Sequence, residues 1–426
     1  MLTMERHLER LFMDLIEPKP MAGNFNWHFA FGLKRWDSSF RQINASSWLI
    51  FNKAILTQLP LEETKEEPND YVDHKEGFIY RIRELGDDEA RPNTTTSIPD
   101  QGPVRPRRAV YPGLYFEYLI GSAGSLKFMP AKADAEHVNH HAREHENIEY
   151  AAQQGPKHFR IPRVIYHAEF EYKYAILTER VGTSVFDEPM PAKFLKRLLG
   201  QIAKAVGEMA KWEAPLVQGV KGKDIQWWMF EHVISTIYSN GHRASDRVQE
   251  YLAGKGFNMS PCGFLNGHIG LGDVGLDQDF NLVGFNTWMD CAFVPKGYIA
   301  SYVLDRIDYV SRPGDPVWEL PSLLEASQRQ GYASLFLNLV SQGLPNEIEC
   351  FEKVLNDEHA IRARHLERRQ CQLPWTKGFM FPENDPDFRP EIFPNQEREG
   401  LGWCKERDWR RDIQLIRLIA GGLSSA

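Results

Sequence analysis

Residues 113–130 read GLYFEYLIGSAGSLKFMP, two short runs of aromatic and aliphatic residues divided by a Ser/Gly turn at 122–125. Apolar runs of this length bounded by turn residues predict a pair of β-strands. A helical pattern with charged and His-rich faces follows over about 134–154. Two more strand-like runs come next, IPRVIYHAEFE (161–171) and YKYAILTERV (172–181). Strand–strand–helix–strand–strand is the order of a small α+β lobe.

Downstream the character turns helical. AKFLKRLLGQIAKAVGEMAKWE (192–213) places Phe194, Leu198, Ile202 and Val206 on one stripe at four-residue spacing. DIQWWMFEHVISTIYSNG and RVQEYLAGKG continue it. Then PCGFLNGHIGLGDVGLDQDFNLVGFNTWMDCAF (261–293) inserts loops and two short hairpin strands, and helical pattern resumes over about 317–419. Upstream, residues 1–60 form an aromatic-rich appendage with a helix expected at 47–59. Residues 61–108 are rich in acids, Pro, Thr and Arg and read as a mobile linker, within which GFIYRIREL has strand alternation.

The chain has 426 residues, 42% hydrophobic and 25% charged, which excludes a chain disordered throughout. No run is long and apolar enough for a membrane span. The first 17 residues, MLTMERHLERLFMDLIE, mix acids and bases on an amphipathic helix, unlike a secretory signal or a mitochondrial presequence. A net charge of −8 argues against a general polyanion binder. Five scattered cysteines with no C-x-x-C pair argue against a zinc or disulfide framework, and a cytoplasmic location is the default expectation.

The element order and local motifs over about 114–295 resemble the aminoglycoside phosphotransferase and choline kinase-like family, in its filamentous-fungal form. The resemblance implies a bilobal protein-kinase-like α+β fold: a small antiparallel-sheet lobe at 109–182 and a larger, mostly helical lobe at 183–426. The first hundred residues have no counterpart. SLKFMP looks like the strand bearing the phosphate-binding lysine, here Lys127, and REHENIEYAAQQG like the helix whose glutamate pairs with it, here Glu144. Their separation of 17 residues suits a strand followed by a helix packed on it. A cation must reach the phosphates of ATP, and a carboxylate steadies its flexible side chain. ILTERVG resembles the hinge, where backbone groups from Glu179 to Val181 would edge an adenine.

In the family a segment H-G-D-x-x-x-x-N-I-L-V-D leads through a hairpin to I-I-D-W. Its first Asp takes the substrate hydroxyl proton, while the Asn and last Asp hold magnesium. The similar string here, NGHIGLGDVGLDQDFNLVGFNTW, keeps the frame (Gly267, Asp277, Asp279, Phe280, Asn281, Gly284, Trp288) and changes the chemistry. The family His is Asn266, the catalytic Asp is His268, the magnesium Asn is Asp273, and the last Asp is Thr287. His268 has a pKa suited to a general base and Asp273 a suitable metal ligand, with Asp290 nearby as a second. Thr287 is the obstacle, because a neutral hydroxyl does not hold magnesium against a triphosphate. The catalytic loop at 262–295 therefore reads as degenerate.

Three functions remain open. One is a pseudokinase-like protein that keeps the interlobe cleft for a small-molecule or nucleotide-like ligand. Another is an atypical small-molecule phosphotransferase using ATP, with His268 as base and Asp273 with Asp290 for magnesium. The third is a non-kinase biosynthetic enzyme, of the kind used in secondary metabolism, with His268 as proton shuttle and an adenylate-bearing substrate such as aminoacyl-tRNA. For that last reading, Arg362, Arg364, Arg368, Arg369, Lys405, Arg407, Arg410 and Arg411, interleaved with Trp403 and Trp409, offer an RNA contact. The ordinary explanation of the same residues is a solvated helix face. In the run His137, His140, His141 and His145, the four-residue spacings 137/141 and 141/145 put three imidazoles on one helical face, either as metal ligands or as another solvated face. GHIGLG lacks the spacing and the K-[ST] of a phosphate loop.

Overall fold

The computed structural model describes residues 40–94, 98, 102–110, 115–130, 142–170, 173–184, 190–225, 243–270, 272–305, 308–310, 318–320, 344, 347, 349–354 and 357. The chain divides into two compact units. The first runs to Pro191 and takes in Asn266–Asp290; the second holds Ala192–Leu265 and resumes at Cys291.

The first unit contains two antiparallel sheets. β1 (Phe40–Asn44), β2 (Ser47–Ile50), β3 (Ala54–Pro60), β4 (Tyr71–Asp73) and β5 (Phe78–Glu84) form one, in the order β1-β2-β3-β5-β4. β6 (Val104–Val110), β7 (Tyr115–Ile120), β8 (Gly124–Pro130), β9 (Arg163–Phe170) and β10 (Lys173–Glu179) form the other, in the order β6-β7-β8-β10-β9. One core joins the sheets: Phe40, Trp48, Ile50, Leu56, Tyr71 and Tyr80 from the first meet Ile120, Leu126, Phe128, Ala175 and Leu177 from the second. Phe128 lies 5.5 Å from Phe40 and 4.8 Å from Phe51, ring centroid to centroid.

Strand alternation explains how one sheet serves two purposes. On β8, Leu126 and Phe128 point into the layer between the sheets, so Lys127 must point to the opposite face. There it meets α1 (Glu144–Gln153), whose buried side is Glu144, Asn147, Ile148 and Ala151. The first turn of α1 is tied by Glu146, whose carboxylate accepts the Arg143 N–H at 3.0 Å.

The four strands and the helix of the small lobe form as expected, α1 being described from Glu144 onward. The helix expected at 47–59 is instead the hairpin of β2 and β3. The dense apolar run Trp48–Phe51 fits either period, and the chain turns back at Phe51 and Asn52, both left-handed with φ of 49° and 59°. The expected linker at 61–108 carries β4, β5 and most of β6. The strand seen in GFIYRIREL is β5, and it pairs along β3 from Phe78 to Glu84.

In the second unit α2 (Leu195–Met209) buries Leu195, Leu198, Leu199, Ile202, Val206 and Met209, the expected stripe widened by its neighbours. β11 (Glu213–Ala214) and α3 (Ala244–Lys255) follow. β12 (Cys262–Asn266) leads the chain back into the first unit, where β13 (Val274–Leu276) and β14 (Leu282–Phe285) make the expected hairpin. Its turn is held by Asp277, which accepts the backbone N–H of Asp279 at 2.9 Å and of Asn281 at 2.8 Å. β15 (Cys291–Pro295) pairs with β12, α4 (Lys296–Asp305) follows, and β16 (Asp308–Val310) pairs with β17 (Trp318–Leu320). β17 is a strand at the start of a region read as helical. The N-terminal helix, the histidines at 137, 140 and 141, and all the basic residues from Arg362 to Arg411 lie outside the described residues.

Candidate functional site

Every site residue expected from the sequence falls in the first unit. The Lys127 ammonium sits 2.6 Å from Glu144 Oε1, and neither side chain has any exposed surface. Lys127 also donates to the backbone carbonyl of Asn286 at 2.9 Å. The same carboxylate oxygen of Glu144 accepts the Trp288 N–H at 2.9 Å, and Asn147 donates to the Trp288 carbonyl at 2.7 Å. Helix α1 and strand β8 thus grip the segment 286–288 that follows the hairpin.

Asn286 makes a further contact. Its side-chain oxygen accepts the N–H of Val181 at 2.9 Å, while its amide nitrogen is buried with no hydrogen-bond partner. Past Val181 the chain lies on the hairpin. Thr183 exchanges backbone hydrogen bonds with Leu276 at 2.9 and 2.7 Å, and a Cβ on Gly275 would fall 1.5 Å from the Val181 carbonyl. Glycine at 275 is what lets the two backbones touch. Glu179 has its side chain on Arg163, at 3.0 Å and largely in solvent.

His268 lies beyond the end of β12. Its N–H donates to the side-chain oxygen of Asn266 at 2.8 Å, and Asn266 in turn donates to the Thr287 carbonyl at 3.0 Å. The ring stands between two acids. Nε2 is 2.7 Å from Asp290 Oδ2, and Nδ1 is 3.5 Å from Asp273 Oδ2, an ion-pair distance rather than a good hydrogen bond. Burial alone would favour the neutral ring, but the facing carboxylates of Asp290 and Asp273 outweigh it and raise the His268 pKa. The two carboxylates thus favour the protonated ring over the neutral one.

The sequence pairs Lys127 with Glu144, and gathers His268, Asp273 and Asp290, as the structure does. Asp273 and Asp290 face opposite nitrogens of one imidazole, so the ring fills the space a shared metal ion would need. Among the described residues no group of three or more His, Cys, Asp or Glu is arranged for a metal. Lys127 has no exposed surface and the buried Thr287 carries no charge, so these two residues do not fit a magnesium-bound triphosphate. His145, the described member of the histidine run, stacks on His167 at 3.7 Å and has Nδ1 2.9 Å from the Tyr174 hydroxyl. Asn286 was not anticipated, because nothing in the letters FNTW marks it apart from the changed Thr287 beside it. Among the described residues no helix is long and apolar enough to cross a membrane.

No family model and no curated protein matches the chain. Among solved structures it is similar to aminoglycoside phosphotransferases. A thermostable mutant of APH(4)-Ia, in its apo form, is 14% identical over 59% of this chain and 88% of that one, with a TM-score of 0.33. Aminoglycoside-3'-phosphotransferase of type VIII is 12% identical over 60% and 94%, with a TM-score of 0.36. APH(3'')-Id from Streptomyces rimosus is 16% identical over 46% and 75%, with a TM-score of 0.30.

Proposed function

We propose that this protein is a kinase-type scaffold that does not carry out ordinary magnesium-ATP phosphoryl transfer and that binds a small molecule. The observation that carries the reading is the state of Lys127. Its ammonium is sealed from solvent and engaged by Glu144 and the Asn286 carbonyl, which leaves no exposed cation for a phosphate. The neutral Thr287 supports it, since phosphoryl transfer depends on electrostatic stabilisation that an acid-bound metal supplies. The test is a phosphorylation and ATP hydrolysis assay on the full chain with magnesium. The expected result is no turnover above background; robust turnover lost in Lys127→Ala overturns the reading.

A second reading rests on His268. An imidazole placed between Asp290 and Asp273, whose carboxylates favour its protonated form, suits a non-kinase enzyme that uses it to give a proton. It predicts a reaction that disappears in His268→Gln. A product still formed by that variant removes it.

A further inference from the structure

We propose that Asn286 is the specificity-determining residue of this site, excluding nucleotides by occupying from within the chain the two donors that a nucleotide would have to claim. This rests on the reading of the scaffold given above and goes beyond it by naming the class of ligand that is shut out. A purine offers ring nitrogens as acceptors and needs a free backbone N–H; its phosphates need a free cation. Where the chain leaves β10, Asn286 Oδ1 accepts the N–H of Val181 at 2.9 Å. The cation is Lys127, whose ammonium donates to Glu144 at 2.6 Å and to the Asn286 carbonyl at 2.9 Å. Side chain and main chain of a single residue thus stand in for base and phosphate together. Asn286 is itself 4% exposed, so solvent does not readily compete for either contact.

The two contacts separate by mutation, because one is made by the side chain and the other by the backbone. Asn286→Ala frees the Val181 N–H and leaves the carbonyl on Lys127. Asn286→Asp keeps an oxygen on Val181 and serves as the matched control; Asn286→Ser, too short to reach Val181, replaces the alanine variant if that one does not fold. Adenosine is the probe, since it carries the base without phosphate or metal. Isothermal titration is expected to give at least tenfold tighter adenosine binding to Asn286→Ala than to wild type or Asn286→Asp. In the gain-of-binding variant, the Val181 amide should become slower to exchange its hydrogen when adenosine is added. Equal adenosine affinity in all three folded proteins overturns the proposal. That outcome is distinct from failure of the functional reading, which turns on magnesium-ATP turnover by the wild-type chain.

Discussion

The carboxylate of Asp73 on β4 accepts both the backbone N–H of Ser122, at 2.6 Å, and its hydroxyl, at 2.7 Å. One acid of the first sheet therefore fixes the turn between β7 and β8 of the second. The same carboxylate accepts the N–H groups of Lys75 and Glu76 at 3.2 Å, and the neighbouring Tyr71 hydroxyl accepts the Ala123 N–H at 2.8 Å. The turn in turn receives Arg180, whose N–H donates to the Ala123 carbonyl at 2.8 Å. The first sheet thereby reaches the chain just ahead of Val181.

Asp73→Ala should cost about 2 kcal/mol, because it takes a buried acceptor from the half-buried Ser122 N–H and hydroxyl, while the Lys75 and Glu76 N–H groups turn to water. Gly121→Ala should also be costly. Its φ is +57°, and the added Cβ would meet Asp73 Oδ2 at 2.2 Å. Removing the carboxylate removes the clash, so the double variant is expected to be less destabilised than the two single losses summed. Urea unfolding of the four proteins checks this, and strict additivity counts against the contact.

Lys127→Met leaves Glu144 buried without its cation and should lose about 3–5 kcal/mol. Glu144→Leu should lose a similar amount by stranding the ammonium. Replacing both by apolar residues should recover much of either loss, since no unpaired charge is then buried. Denaturant midpoints of single and double variants decide it; a double variant as unstable as the worse single one contradicts the pairing.

His268 gives a pH signature. Its pKa in the folded chain is raised from the ordinary 6.5, with Asp290 and Asp273 prevailing over burial. A group with a raised folded pKa contributes stability that is fully present below the unfolded value and fades as pH climbs through the folded one. The stability advantage of wild type over His268→Gln should therefore be largest near pH 5.5–6 and shrink on the alkaline side. Thermal unfolding from pH 5.5 to 9 measures it, and an advantage that grows with pH would sink the imidazolium assignment.

A chain beginning after residue 101 would lack the whole first sheet. Leu126, Phe128, Ala175 and Leu177 would then face water. Each such side chain loses roughly 1.5–3 kcal/mol of burial if it is large, and the bare face would promote association. The expected outcome is an insoluble or dye-binding product; a soluble truncated monomer that unfolds cooperatively argues against the two-sheet core.

Much of the first unit was legible because β7, β8, α1, β9 and β10 each carry a clean period and clear turn residues. The Lys127–Glu144 spacing could be read for the same reason. The first sheet was not, since Trp48, Leu49, Ile50 and Phe51 form an apolar run that suits helix and strand alike. The deciding detail is a phenylalanine in the left-handed region, which no local preference favours. Acidic stretches around β4 and β5 resembled linker because their charges are used in place. Arg81 forks onto Asp70 at 2.9 and 2.8 Å. At the site, the letters picked out His268, Asp273 and Asp290 but not their arrangement, because nothing in the spacing says that the two acids face opposite nitrogens of the ring.

The Lys127–Asn286 contact joins residues 159 apart. A ribosome adding about 5–20 residues per second needs roughly 8–32 s to get from one to the other. Through that interval the nascent strand holds a lysine whose final carbonyl partner has not been made, while the two sheets have all their residues once Glu179 of β10 is added. The lysine's site is therefore finished only on the arrival of Asn286–Trp288, and a ribosome stalled before codon 286 would carry two sheets whose lysine has Glu144 but no carbonyl partner.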